Sequence, residues 1–355
     1  MSLRHQGIHL ALRMLALMQA DRLLPSGSDS AGAVLTLHHV RPDSGAAFQP
    51  NAGLCVQPEF LDALLGRLAE TGRRFVPLSK ILDDFEAGRA APEQVAITLD
   101  DGYRDNLEEA LPVFRRHDAF FTLFACPGFC DRTAPLWWEA LERILADNQV
   151  IAAEGHGPPE MAAATLEEKS QAFTEWSVWL LRVSEGEARA AVEALAARYG
   201  LDLAALAREL VMDWDELRVL AAEPLATIGA HTDTHPALAR LSPERALEAM
   251  RSSADRLEAE LGERPGCLAF PYGTPVAVGE REARIAKDAG FRAAFTTRPG
   301  MIRFDENPHF LPRISVNGLY QEVRLQEVLL SPGLWRAGRG ALSGVRRLSG
   351  GRVHQ

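Results

Sequence analysis

The run Val95-Ala96-Ile97-Thr98-Leu99-Asp100-Asp101-Gly102 sets the strongest limit on what this chain can fold into. Its apolar part is rich in β-branched residues and shows no polar alternation. It therefore reads as a strand buried on both faces, as in a parallel sheet. The run stops at two adjacent carboxylates and a glycine. In parallel α/β folds, ligands and reactive groups collect at the C-terminal ends of the strands. Successive residues at a strand end point in different directions, so Asp100 and Asp101 can take different tasks. Two like charges side by side need a cation nearby, and a divalent metal held by one of them meets that need. The plain structural alternative is a helix N-cap followed by an Asp-Gly turn.

Strand–helix alternation runs along much of the rest. Residues 33–37 read as a strand that ends in His38-His39. A helix is expected from Pro58 to Thr71, with Phe60, Leu61, Leu64, Leu65 and Leu68 on one face and Gly72 as its stop. Short elements follow at 75–76 and 81–85, then a helix from Asp101 to about His117 and a strand at 120–124. Residues 225–230, 267–270, 293–296 and 310–314 read as further strands. A helix from Ser242, a natural N-cap, runs to Leu261, and another runs from Glu280 to Ala289. This order predicts a parallel sheet or barrel. Residues 135–222 interrupt it with a stretch expected to be helical throughout. They carry five of the six tryptophans: Trp137, Trp138, Trp176, Trp179 and Trp214. Packing of the insertion against the barrel is the favoured reading of these rings over the lining of a sugar cleft. The basic tail from Arg324, with Trp335, reads as peripheral.

Composition removes several function classes. The length of 355 residues suits one large domain or two ordinary ones, and 47% hydrophobic with 24% charged residues suits a soluble globular enzyme. A net charge of −10 argues against a general nucleic-acid binder. Four cysteines are too few and too scattered for a disulfide framework, and Cys126 and Cys130 read as small buried residues. Residues 10–18 are apolar but carry Arg13 in their middle, which favours an amphipathic helix over a secretory signal. No apolar run approaches the roughly 20 residues of a membrane span. These features point to a cytoplasmic protein with at most a peripheral membrane contact through its termini. The chain divides into an N-terminal extension (1–30), a barrel (31–320, with the insertion at 135–222) and a basic tail (321–355).

Three strand ends carry unusual polar groups: His38-His39, Asp100-Asp101, and His231…His235 before Pro236. In a parallel sheet all lie on one rim. Two imidazoles and one carboxylate are the protein ligands of a catalytic divalent site, with positions left open for water. The second aspartate is then free to act as a base.

In order, Thr98-Leu99-Asp100-Asp101-Gly102, His231-Thr232-Asp233-Thr234-His235 and Phe270-Pro271-Tyr272-Gly273 resemble the motifs of the polysaccharide deacetylases, the NodB-homology or carbohydrate esterase 4 family. The resemblance covers roughly residues 33–315 outside the insertion. It implies a distorted (β/α)7-type barrel and a divalent metal, often zinc, used to remove acetyl groups from N-acetylated sugars such as N-acetylglucosamine oligomers. It implies Asp100 as catalytic base and Asp101, His231 and His235 as metal ligands. Thr232, Pro271 and Tyr272 would contact substrate, with the Tyr272 backbone N–H at the oxyanion.

The chain departs from the family pattern in places. Leu99 replaces the usual Phe. Ala269 stands where an arginine usually orients the base, so Arg313, grouped with the substrate-contacting residues, is the candidate replacement. The C-terminal Leu-x-His motif that usually supplies the general acid is not evident. His38 lies where the poly-N-acetylglucosamine deacetylases carry a Tyr-His motif, a branch the chain also resembles at Pro58-Glu59-Phe60-Leu61. His38 is therefore the expected acid, His309 its competitor, and His39 a structural neighbour. The alternatives are a catalytically silent barrel that binds a glycan or a partner, and a metal-dependent amidase for another substrate.

Overall fold

A computed structural model describes residues 3–19, 29–153 and 155–337. The sequence beyond 337, and with it most of the basic tail, lies outside the described residues. So does part of the N-terminal extension.

The strands are β1 (Ser30–Leu37), β2 (Arg74–Phe75), β3 (Gln94–Asp101), β4 (Phe121–Ala125), β5 (Ala226–Ala230), β6 (Cys267–Ala269), β7 (Ala293–Phe295), β8 (Ile302–Arg303) and β9 (Ile314–Ser315). They form one sheet in the order β7-β6-β5-β4-β3-β1, with β8 antiparallel and β9 parallel on β1. The neighbours from β7 to β1 are all parallel. Every residue of β1 and β3 is buried, as a strand covered on both faces requires. The sheet curls into a half-barrel, and the segment after β8 joins its two edges. Leu311 bridges Phe295 of β7, and a few residues on β9 pairs with Leu35 and Thr36 of β1. The expected last strand is thus a seam that changes partner part-way along. The antiparallel strand β8 was not expected from the sequence. It occupies only two residues, too few to show a period.

The helices are α1 (Leu3–Leu17), α2 (Pro58–Glu70), α3 (Leu78–Glu86), α4 (Leu111–Arg116), α5 (Trp137–Asp147), α6 (Leu166–Leu180), α7 (Glu185–Tyr199), α8 (Leu203–Leu210), α9 (Trp214–Ala221), α10 (Pro243–Leu261), α11 (Glu280–Asp288) and α12 (Val323–Leu329). The five expected apolar residues of α2 are its buried face. Ser242 caps α10 by accepting the Arg245 N–H, and Gly262 ends it in the left-handed conformation. The helix expected after Asp101 starts instead with a π-type turn over Asn106–Ala110 and turns α-helical at Leu111.

Helices α5–α9 stand between β4 and β5. Capping boxes start α6, α7 and α9, each pairing Thr165, Ser184 or Asp213 with a glutamate three residues on. This region is not helical throughout, because 150–151 and 161–162 form a two-stranded antiparallel ribbon. It has its own core around the fully buried Trp176, which Trp179 flanks. Trp214 donates to Asp131 at 2.7 Å and lies under the Arg256 guanidinium, tying α9 to α10.

The chain end before residue 338 is not peripheral, contrary to expectation. Leu325, Gln326 and Val328 of α12 are buried, and Trp335 donates to the Leu329 carbonyl. Helix α1 packs on α12 through Leu12, Leu15 and Ala16, while His9 and Arg13 pair with Glu322. No helix among the described residues is long and apolar enough to cross a membrane. All four cysteines are free thiols.

Candidate active site

The parallel strands deliver the expected polar groups to one rim. His38 follows β1, Asp100 and Asp101 end β3, His231 to His235 follow β5, and Phe270 to Tyr272 follow β6. Asp101, Thr232, His235 and Tyr272 have φ of +74, +61, +59 and +60°, so the chain leaves three of these strands through left-handed turns. That region is costly for residues with a Cβ and is found where a site dictates the side-chain direction.

Asp101, His231 and His235 converge, with one potential ligand atom from each lying within 4.8 Å of the others. Each Nε2 is 3.3 Å from Asp101 Oδ1. His231 donates Nδ1–H to the Ala269 carbonyl at 2.8 Å, which leaves the Nε2 lone pair facing Asp101. The His235 ring is set by packing against Phe129, Trp138 and Tyr272, with centroids 5.5, 5.1 and 4.6 Å away. Burial pushes the Asp101 carboxyl up, but the two imidazoles outweigh it and hold the group well below the usual carboxylate range. The donor set of two imidazole nitrogens and one buried carboxylate oxygen fits a divalent transition-metal ion.

Asp100 points the other way. Its two oxygens receive Arg313 Nη1 and Nη2 at 2.8 and 2.7 Å, a bidentate pair buried at both ends. Arg313 is fixed in turn by the Thr296 carbonyl, the Thr98 hydroxyl and the Phe124 ring beneath it. Burial raises the Asp100 carboxyl, and Arg313 more than offsets this, so the group lies below its usual range. The guanidinium that Ala269 cannot provide therefore comes from the seam. The grouping of Arg313 with substrate-contacting residues is corrected: its side chain is wholly buried behind Asp100. Thr232 and Pro271 are also buried and do not line the cleft, whereas Tyr272 does.

His38 lines the cleft with 23% of its side chain exposed and Nε2 3.9 Å from Asp100 Oδ2. Burial holds this imidazole below its ordinary range against the pull of Asp101 and Asp100. His309 is excluded as a competitor. It precedes the seam bridge, is buried, and its Nε2 is 2.8 Å from the carbonyl of Phe291, at the start of β7 on the opposite rim.

The cleft over these groups has a volume of about 460 Å³. Barrel loops give it a polar wall with Thr274, Thr297, Ser315 and Asn317. The insertion gives an apolar wall with Trp137, Trp138, Phe173 and Leu181. Two of the five tryptophans thus line the cleft, and the packing reading holds for the other three. Trp137 donates to Tyr272 Oη and Trp138 to Tyr103 Oη, both at 2.8 Å. Asp105 and Asn106, which no sequence expectation singles out, hold the backbone around His38. Their place three and four residues after Asp-Asp-Gly is the only local signal they carry.

Buried carboxylates and imidazoles at the mouth of a parallel half-barrel, under an open cleft, make a site that could hold a divalent ion beside a second, separately held carboxylate. The chain belongs to the polysaccharide deacetylase family, whose sequence profile matches residues 87–204 and 192–294. It is accordingly a hydrolase of amide bonds in acetylated polysaccharides, and this family is metal-dependent. No curated protein matches it in sequence. Three solved structures share its fold. The Streptococcus pyogenes deacetylase PplD in complex with acetate is 17% identical, with a TM-score of 0.56, over 83% of this chain and 97% of that one. IcaB from Ammonifex degensii is 20% identical, with a TM-score of 0.53, over 86% and 98%. A de-N-acetylase from Aggregatibacter actinomycetemcomitans is 14% identical, with a TM-score of 0.55, over 84% and 99%.

Proposed function

We propose that the chain removes acetyl groups from an N-acetylglucosamine-type saccharide and that its metal is zinc. The observation that carries this reading is the division of the adjacent aspartates. Asp101 faces two imidazoles, and Asp100 is locked to Arg313 beside the open cleft. An N-acetyl amide is a poor electrophile with a poor leaving group, and the residues present address both problems. Asp101, His231 and His235 would hold a divalent ion, which would supply Lewis-acid polarisation of the carbonyl and acidify the attacking water. Asp100 accepts the water proton while the water oxygen bonds to the acetyl carbon. The Tyr272 backbone N–H, at the cleft edge, is assigned to the developing oxyanion. His38, on the same rim with its Nε2 3.9 Å from Asp100, donates a proton to the departing nitrogen as the C–N bond breaks, giving acetate and a free amine. The two-faced cleft suits a pyranose, with its apolar C–H face toward Trp137 and its hydroxyls toward Ser315 and Asn317. The mixed nitrogen and oxygen donor set supports zinc.

Acetate release from N-acetylglucosamine oligomers, with and without chelator, tests this directly. Chelator-sensitive release restored by zinc is expected. No release from the metal-loaded protein would leave a silent glycan- or partner-binding barrel. A peripheral membrane contact through the termini is also proposed. Its support is that α1 turns Leu10, Met14 and Leu17 outward, with Met18 just after it, each more than half exposed.

A further inference from the structure

His39, the residue after the candidate acid, has a wholly buried side chain, yet both of its ring nitrogens face carboxylates. Nδ1 is 2.5 Å from Asp105 Oδ2, and Nε2 is 3.4 Å from Glu139 Oε1. Burial pushes this imidazole down, but Asp105 and Glu139 outweigh it and hold the group above its ordinary range, which favours donation from both nitrogens. It stacks on Tyr103, with centroids 3.4 Å apart. Asp105 also accepts the Val40 N–H through Oδ1 at 3.1 Å, and Asn106 Nδ2 donates to the His38 carbonyl at 2.8 Å. The backbone on either side of His39 is thus pinned to the π-type turn that follows Asp-Asp-Gly. Glu139 belongs to α5, beside Trp137 and Trp138 of the cleft wall.

We infer that His39 is a positioning residue: clamped by Asp105 and Glu139, it fixes His38 against Asp100. This rests on the proposed role of His38. The ring itself cannot serve as an acid, because neither nitrogen reaches the cleft. A shift of about 1 Å in a catalytic group costs up to about 10²-fold in rate, which is the scale on which such a clamp acts.

A double-mutant cycle on the zinc-loaded full chain tests the inference, with acetate release as the assay. His39→Phe keeps the ring volume and the stack on Tyr103 but removes both hydrogen bonds. It is expected to lower kcat about 10- to 100-fold in the His38 background with metal content unchanged. It is expected to lower kcat less than about 2-fold in the His38→Ala background, since a residue that acts through His38 has nothing left to position. Equal losses in both backgrounds, or an undiminished kcat for His39→Phe, would overturn it. If His39→Phe does not fold, Glu139→Gln takes its place. It retains an acceptor but loses the charge and should show the same non-additivity with a smaller loss, and additive losses would again refute the clamp. A wild-type chain that releases no acetate would instead defeat the proposed activity, an outcome distinct from additivity in an active enzyme.

Discussion

At the scale of single residues, the adjacent aspartates give the sharpest expectations. Asp100→Asn should keep the metal and lose most turnover, because an amide cannot take a proton from water. Asp101→Asn should lose the metal itself. Metal content of the two purified variants separates these outcomes, and equal loss in both would contradict the division. Arg313→Met breaks a buried pair from one side and leaves an uncompensated carboxylate. A loss of about 3–5 kcal/mol is expected in urea unfolding. Arg313→Lys should not restore activity, since an ammonium cannot present the fork that grips both oxygens. Asp101, His231, His235 and Asp100 were legible as candidates because each sits at or just past a strand end within a short motif. Arg313 was legible only as a charge of the right kind, since its partner is 213 residues away and sequence carries no record of that pairing. His39 read as structural, but nothing local to it announced Asp105 and Glu139.

At the scale of elements, the packing beneath the site can be tested at Gly229. Phe124 faces Gly229 across β4 and β5, and a Cβ there would lie 2.4 Å from its ring. That ring carries Arg313. Gly229→Ala should cost about 1–3 kcal/mol by overpacking and should also lower kcat, read from parallel urea melts and assays. At the foot of the barrel, Asp84 of α3 is bound by Lys80, Arg89 and Gln94, and its carboxyl is held at about 2, chiefly by the Lys80 hydrogen bond working against burial. A carboxyl depressed below its unfolded value of about 3.9 contributes stability that is complete above that pH and is lost as pH falls through about 2. Wild type should therefore lose more stability than Asp84→Asn between pH 5 and about 2.5, as measured by thermal melts. Long periodic helices such as α2 and α10 were plain in the sequence. The 150–151 ribbon, β8 and the π-type turn were not, because two to five residues are too few to set a period.

At the scale of the whole molecule, strand–helix alternation was enough to give the barrel, while its closure was invisible because the seam changes partner within a few residues. The outward face of α1 predicts that the full chain pellets with vesicles containing acidic phospholipid. Leu10→Glu with Leu17→Glu should abolish pelleting and leave acetate release intact, and unchanged pelleting would dismiss the contact. The seam has a consequence for how the molecule comes into being. Synthesis delivers a chain from its N-terminus. The chain positions of His231 and His235 precede that of Arg313, which enters the barrel only when the segment carrying Leu311 and β9 docks on β7 and β1. A nascent chain can therefore gather its cation ligands while its base still lacks the guanidinium that aims it. Metal loading and catalytic competence would then be separable events in maturation, the second waiting on the last strand.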